Sequence, residues 1–143
     1  MLNVFITVDV EIWCGGWKDI DSKFPNAYNK YILGKTASGD YGLPFQIKLL
    51  NEYGLKGVFF VEPLYAARFG LSSLKDIVGM LQDGSQEVQM HMHPEWVNEA
   101  TTALIPDSDK KRQHMKEYSL KEQVQLVKVG KTFLNKVADK DVL

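Results

Sequence analysis

Cysteine and histidine are both scarce in this chain of 143 residues, which has one cysteine, Cys14, and three histidines. A single cysteine excludes an internal disulfide and suits a reducing compartment, so we expect a cytoplasmic location. The chain also lacks a long apolar run at its start, because Asp9 and Glu11 interrupt the run after a few residues and no basic segment precedes it. We therefore expect neither a signal peptide nor a membrane span.

The chain carries almost no excess charge, since 17 Lys and Arg residues stand against 18 Asp and Glu residues. This balance provides no basic surface for nucleic acid or anionic lipid, so we expect neither as a partner. Low-complexity segments and Pro-rich linkers are absent from the sequence as well. With 45% hydrophobic and 24% charged residues, the composition is that of one globular domain over residues 1–143.

Strand and helix patterns alternate along the chain. The stretches NVFITVD, KGVFFVEP and QEVQMHMHP are apolar and rich in β-branched or large side chains, which predicts three strands. Helical spacing predicts three helices, in PFQIKLLNEYG, SSLKDIVGMLQDG and SLKEQVQLVKVGKTFLNKVA. The last of these begins with Ser119 and Glu122 at the spacing of a capping box. Such alternation predicts an α/β fold with parallel strands and right-handed crossovers.

Two segments interrupt this alternation. Residues 11–39 contain scattered glycines and aromatic residues, which predicts a long and partly ordered loop. At the other end of the sequence, DKDVL predicts the first residues of a fourth strand.

Pairs of chemically active residues lie where the first and third predicted strands end. Asp9 and Glu11 share one parity of the first strand. His91 and His93 share one parity of the third. Because strand side chains alternate between faces, neighbouring parallel strands would turn both pairs toward one cavity at their carboxyl ends. Two imidazoles and a carboxylate suit Zn²⁺ or a similar divalent ion, and a second carboxylate can take a proton from water.

Each of these residues also has a structural interpretation. The histidine pair suits a surface pair or two hydrogen-bonded core residues, and Asp9 and Glu11 suit a strand-end cap or salt bridges. Glu95 can be an extra ligand, a partner that orients a histidine, or a loop carboxylate. Glu62 either points at the same cavity or pairs with Arg68 or a lysine. Three tryptophans flank the motifs and suit stacking on sugar rings or core packing: Trp13, Trp17 and Trp96.

The stretches ITVDVE, LKGVFFVEP and EVQMHMHP, in this order, resemble the opening of a polysaccharide deacetylase domain of the carbohydrate esterase 4 type. The resemblance spans residues 3–96, and the order of the short motifs is its specific part. It implies the front part of a distorted (β/α) barrel. It also implies metal-dependent removal of an acetyl group from an N-acetylated saccharide, as in the metabolism of cell-surface polysaccharides.

The resemblance assigns roles to the first motif. Asp9 matches the family's general base. The adjacent acidic position, which is usually the metal ligand, is Val10 here and cannot bind a metal. Glu11 lies two residues beyond Asp9 and is the natural replacement, so this chain resembles an atypical branch of the family.

The histidine motif also departs from the family. The usual spacing of its two histidines would place the second ligand at Glu95, whereas His93 intervenes here. The pair is therefore either His91 with His93 or His91 with Glu95. Imidazole binds Zn²⁺ better than a further carboxylate in such a site, which favours the two histidines. The expected site is Zn²⁺ held by Glu11, His91 and His93.

The family's later strands supply an arginine motif and an acid histidine, and the sequence reaches Leu143 before either. We therefore expect a truncated barrel that is poorly active alone and forms a homo-oligomer covering its open side. Two alternatives to a saccharide deacetylase stay open. One is another divalent-metal amidohydrolase, and the other is a non-catalytic remnant that binds a saccharide or a partner chain.

Overall fold

The computed structural model describes residues 3–139, so the predicted strand DKDVL lies almost entirely outside the described residues. Short 3₁₀ turns at Pro94–Glu99 and Met115–Glu117 interrupt the segment before the last helix. The strands and helices follow one another as β1 (Ile6–Val10), α1 (Ile20–Tyr31), β2 (Lys35–Thr36), β3 (Gly39–Asp40), α2 (Leu43–Glu52), β4 (Gly57–Val61), α3 (Ala66–Phe69), α4 (Ser72–Asp83), β5 (Glu87–Met90) and α5 (Leu120–Val137).

A parallel three-stranded sheet, in the order β1-β4-β5, lies at the centre of the fold. Val61 of β4 is the register partner of both Val10 in β1 and Met90 in β5, so all three strands end at one level. The predicted mixed α/β fold with parallel strands is confirmed. Over residues 3–139 the sheet is open rather than closed into a barrel, with β1 and β5 as its edges.

Helices α4 and α5 cover one face of the sheet. The predicted apolar stripe of α4 is buried, which confirms its helical spacing. Helix α5 buries Leu126 and Leu134, and its Gly130 allows a close approach to β5 because a Cβ there would lie 2.8 Å from the Met90 sulfur. On β4, Phe59 is fully buried while Phe60 is half-buried, so the second face is covered less than the apolar run predicts.

The predicted loop over residues 11–39 is wrong, because it contains helix α1 and the antiparallel β2-β3 hairpin. Pro25 lies inside α1 and removes one backbone hydrogen bond, so the local sequence is unfavourable for a helix. Tertiary packing compensates: Ile20 and Ala27 are buried, and the ring of Phe24 stacks on Phe69 of α3 at 3.8 Å. Packing of one helix face therefore outweighs a poor local sequence.

The predicted start of α5 is confirmed. The Ser119 backbone N–H donates to Glu122 Oε2 at 2.7 Å, and the Glu122 N–H donates to Ser119 Oγ at 3.4 Å, which is a capping box. Arg112 adds an ion pair to Glu122 at 2.9 Å. Among residues 3–139, no helix has both the length and the apolar character needed to cross a membrane.

Candidate metal centre

The strand ends determine where the site residues lie. Beyond the last strand residues, the sheet ladder continues for one step, because the Glu62 N–H donates to the Val10 carbonyl and the His91 N–H donates to the Val61 carbonyl, both at 3.0 Å. Glu11, Glu62 and His91 therefore leave three adjacent strands at the same edge. This is the edge at which parallel α/β sheets collect their functional side chains.

At the end of β5, side chains alternate between the two faces of the sheet, and this alternation determines where the two histidines point. Met90 and Met92 pack toward α5, where a Cβ on Gly130 would lie 2.8 Å and 3.6 Å from their sulfur atoms. His91 and His93 have the opposite parity, so their imidazoles lie on the other side of the segment, toward the end of β1.

Glu11, His91 and His93 form one cluster. Their ligand atoms all lie within 4.8 Å of one another, and the three side chains are half-buried. Glu11 Oε2 lies 3.8 Å from His91 Nε2 and in direct contact with His93 Nε2. The two Nε2 atoms are 2.9 Å apart. These three residues could hold a metal ion.

The donors fit a divalent cation. Glu11 Oε2 is buried and forms no well-aligned hydrogen bond with any group of residues 3–139, although it lies against the Nε2 atoms of both histidines. A cation between this oxygen and the two imidazole nitrogens would bind all three atoms. Two nitrogens with one carboxylate oxygen suit Zn²⁺ and also other divalent transition metals, so the set does not by itself identify the metal.

Glu95 lies on the opposite side of the His93 ring from Glu11. Its Oε2 atom is 3.5 Å from His93 Nδ1, while His93 Nε2 faces the cluster. A carboxylate on the second ring nitrogen fixes the tautomer and the orientation of a metal-binding imidazole. The contact is not a hydrogen bond, because Glu95 Oε2 has no hydrogen-bond partner among residues 3–139. Its position beside Nδ1 still favours, among the three roles that the sequence left open for Glu95, the partner that orients a histidine.

Aromatic rings border the site. Trp13 contacts His93 edge-on, with ring centroids 4.8 Å apart, and also contacts Trp17 at 6.0 Å. Trp96 is only 2% exposed and belongs to the core, where Trp17 meets it at 5.0 Å. Trp13 lines the cavity that Glu11 borders and a second cavity beside it, whereas Trp17 lines another cavity together with Glu95.

Asp9 is exposed on β1 and lies outside the cluster of ligand atoms. It shares with Glu11 a cavity of about 210 Å³ that is also lined by Trp13, Tyr31 and Gln46. Trp13 and Tyr31 extend from it into a second cavity of about 470 Å³. The two predicted carboxylates thus border one cavity, although they do not lie in one ligand cluster.

Glu62 is a fully buried carboxylate directly behind the site. It accepts hydrogen bonds from the backbone N–H groups of Leu64 at 2.8 Å and Tyr65 at 3.2 Å. Burial raises the pKa of Glu62 to about 8, and these backbone hydrogen bonds act in the opposite direction. Sequence reasoning did not assign Glu62 these contacts with the segment that follows it.

The alternative partner proposed for Glu62 is engaged elsewhere. Arg68 forms an ion pair with Asp21 at 2.6 Å and lies 3.7 Å from a Glu99 oxygen. The sequence did contain a signal for the burial of Glu62, which is a carboxylate directly after a fully apolar strand. Such a residue is buried with the strand and requires backbone donors.

Comparisons of the chain with protein-family models, with curated proteins and with solved structures find no match. Inference about function therefore depends on the geometry of the cluster and on the order of the sequence motifs.

Proposed function

We propose that the protein is a metal-dependent, deacetylase-like hydrolase that acts on an N-acetylated saccharide. One observation carries this proposal: Glu11, His91 and His93 have their ligand atoms within 4.8 Å of one another at the carboxyl ends of parallel strands. The strands also carry their motifs in the order that resembles a polysaccharide deacetylase. Sheet order and ligand chemistry thus support the same class of enzyme.

A divalent cation held here, which we propose to be Zn²⁺, would supply polarisation of a carbonyl oxygen and a lowered pKa for a bound water. Glu11 and the two imidazoles would hold it, with Glu95 keeping the His93 ring in orientation. Asp9 is the proposed general base, because its carboxylate borders the cavity that Glu11 also lines and is open to water there.

The proposed saccharide site comprises the two cavities that share Trp13 and Tyr31 as lining residues. Their aromatic rings offer apolar faces to a sugar, while Asn26 and Gln46 offer amide groups to its hydroxyls. The edge-on contact between Trp13 and His93 brings this surface next to the cluster. An acetamido group near the proposed metal would then belong to a sugar ring resting against Trp13.

The open sheet represents, in this proposal, the front part of a distorted (β/α) barrel. Its order β1-β4-β5, with helices between the strands, is compatible with that architecture. Val4 and Phe5, which precede the edge strand β1, are 77% and 79% exposed. We propose that a second copy of the chain covers this side.

A second candidate is a non-catalytic, metal-containing module that binds a saccharide. The observation that favours it is the position of Asp9 on the exposed face of β1, outside the ligand cluster. A site without a positioned base would retain the metal and the sugar but would not hydrolyse the amide.

Release of acetate from N-acetylglucosamine oligomers by the Zn²⁺-loaded protein tests these candidates. We expect slow release that stops after chelation and falls by about 100-fold or more in Asp9→Asn, while Asp83→Asn on α4 retains it. Hydrolysis of simple acetylated amides alone would favour another amidohydrolase. Saccharide and Zn²⁺ binding without any acetate release would favour the non-catalytic module. Absence of metal binding would reject both candidates.

A further inference from the structure

The two cavities beside the cluster differ in the sign of their charge. The larger cavity, of about 470 Å³, has Lys23 and Lys30 as its charged lining residues among residues 3–139. The smaller cavity, of about 210 Å³, has Asp9 and Glu11 instead. The cavities share lining residues, so a basic cavity adjoins the acidic one that borders the cluster.

Helix α1 presents both lysines to the larger cavity. Lys23, Asn26 and Lys30 stand at positions i, i+3 and i+7, which is the spacing of side chains on one side of a helix. The stacking of Phe24 on Phe69 packs another side of α1 against the fold. Packing of the helix therefore holds two cationic side chains and one amide beside the same cavity.

Neither ammonium group is neutralised within the described chain. Lys23 Nζ donates to the backbone carbonyl of Lys18 at 2.8 Å, and Lys30 Nζ lies 4.9 Å from the centroid of the Tyr31 ring. Neither group forms an ion pair with a carboxylate of residues 3–139. A neutral carbonyl and an aromatic face attract an ammonium group without cancelling its charge. Both positive charges are therefore available to a ligand in the larger cavity.

Opposite charges in adjoining cavities would orient a ligand that enters both. The proposed metal would offset the negative charge of Glu11 in the smaller cavity, which then suits a neutral acetamido group. The larger cavity keeps its positive charge and suits an anionic group. A wholly neutral saccharide would make no use of the two lysines.

We propose that Lys23 and Lys30 bind an anionic group of the saccharide, so that the ligand is an acidic N-acetylated saccharide carrying a carboxylate or a phosphate. This inference rests on the proposed function, because it names the substrate class of that same site. The two lysines are specificity-determining residues that bind the anion and take no part in hydrolysis of the amide.

Calorimetric binding to the metal-free protein, in the presence of a chelator, tests the inference. One probe is a tetrasaccharide in which glucuronic acid alternates with N-acetylglucosamine, and its reference is the same tetrasaccharide with the carboxylates reduced to alcohols. The other probe is N-acetylglucosamine 6-phosphate, with N-acetylglucosamine as its reference. We expect an acidic probe to bind roughly fivefold to tenfold more tightly than its reference. The probe that shows this preference identifies the anion as a carboxylate or a phosphate, and either result supports the inference.

Three double variants assign the preference to these side chains. Lys23→Gln/Lys30→Gln should abolish it and leave the affinity for the neutral references unchanged. Lys23→Arg/Lys30→Arg should retain it, because a guanidinium keeps the positive charge. Lys121→Gln/Lys128→Gln is the matched control, since these lysines are exposed, are also seven residues apart and line neither cavity. The control variant loses the same charge and should retain the preference.

Acetate release separates this inference from the proposed function. A preference for the acidic saccharide without any acetate release by the Zn²⁺-loaded protein would support the anion site and reject only the proposed hydrolase. Acetate release from neutral N-acetylglucosamine oligomers, with equal binding of each acidic probe and its reference, would overturn the inference and leave the proposed function intact.

Other outcomes would also overturn the inference. Absence of binding by every probe would do so, and an equal loss of preference in Lys121→Gln/Lys128→Gln would assign the effect to overall charge. The wild-type preference should shrink as salt is added, because salt screens charges that are open to solvent. A preference that salt does not diminish would exclude the lysines as its source, whether or not the glutamine variant folds.

Discussion

The Nε2 atoms of His91 and His93 lie 2.9 Å apart, with Glu11 Oε2 beside both. Only one hydrogen atom can lie between two nitrogens at this distance, so the two rings cannot both carry a hydrogen on these atoms in this arrangement. The pair accordingly presents at least one Nε2 atom without a hydrogen next to a carboxylate oxygen. Such a combination of donors is what a divalent transition metal requires.

Replacing either clustered histidine should remove the metal. We expect His91→Ala and His93→Ala to lose most of the bound Zn²⁺, because each change deletes one of three ligands. Asp9→Asn should retain it, since Asp9 lies outside the cluster. Metal content after dialysis, measured by mass spectrometry, distinguishes these variants. His114→Ala is the control, and an equal loss in that variant would reject the assignment.

Glu95→Gln should weaken Zn²⁺ binding by about tenfold without abolishing it, because it removes the charge opposite His93 Nδ1 and leaves the three ligands in place. Glu99→Gln is the matched control, as Glu99 lies in the same 3₁₀ turn but faces Arg68. Calorimetric titration with Zn²⁺ measures both affinities. Complete loss in Glu95→Gln, together with retention in His93→Ala, would make Glu95 the ligand.

Stability should depend on pH through the start of α5. Hydrogen bonds from Ser119 and the guanidinium of Arg112 lower the pKa of Glu122 from 4.5 to about 2. The ionised form therefore stabilises the folded state above pH 4.5, and this contribution is lost as the pH falls toward 2.

Glu122→Gln should consequently be less stable than the wild-type protein above pH 4.5, and the difference should shrink toward pH 2. Urea unfolding at several pH values measures it. Glu52→Gln is the control, because Glu52 forms an exposed pair with Lys48 that contributes little. A difference for Glu122→Gln that is constant with pH would contradict this role of the capping box.

Self-association should involve the β1 edge. We expect sedimentation equilibrium to show a dimer or larger assembly, because an open edge strand flanked by apolar residues favours pairing with another chain. Phe5→Lys should shift the equilibrium toward the monomer. Leu120→Lys is the control, because Leu120 at the start of α5 is 76% exposed and Phe5 is 79% exposed. This control variant should leave the equilibrium unchanged. A wild-type monomer at every concentration would contradict this expectation.

The parts of the fold that the sequence predicted are those in which local pattern and tertiary packing agree. The apolar run of β4, the stripe of α4 and the Ser119–Glu122 box each carry their own signal within a few residues. The local sequence signal for helix α1 is weak, because Pro25 disfavours a helix there. The stability of α1 comes instead from packing such as that of Phe24 on Phe69. A contact of that kind joins residues 45 positions apart, so no local pattern reveals it.

The sequence by itself determined that two imidazoles and a carboxylate would lie on one face at the ends of their strands. Side chains in a strand alternate between faces with a period of two, whatever strands lie beside it. Which groups meet there was decided by the tertiary structure alone. The register of three strands brings Glu11 to the histidines and leaves Asp9 on an exposed face. Burial places Glu62 against the backbone N–H groups of Leu64 and Tyr65 rather than against Arg68, because the desolvation of a carboxylate depends on everything packed around it.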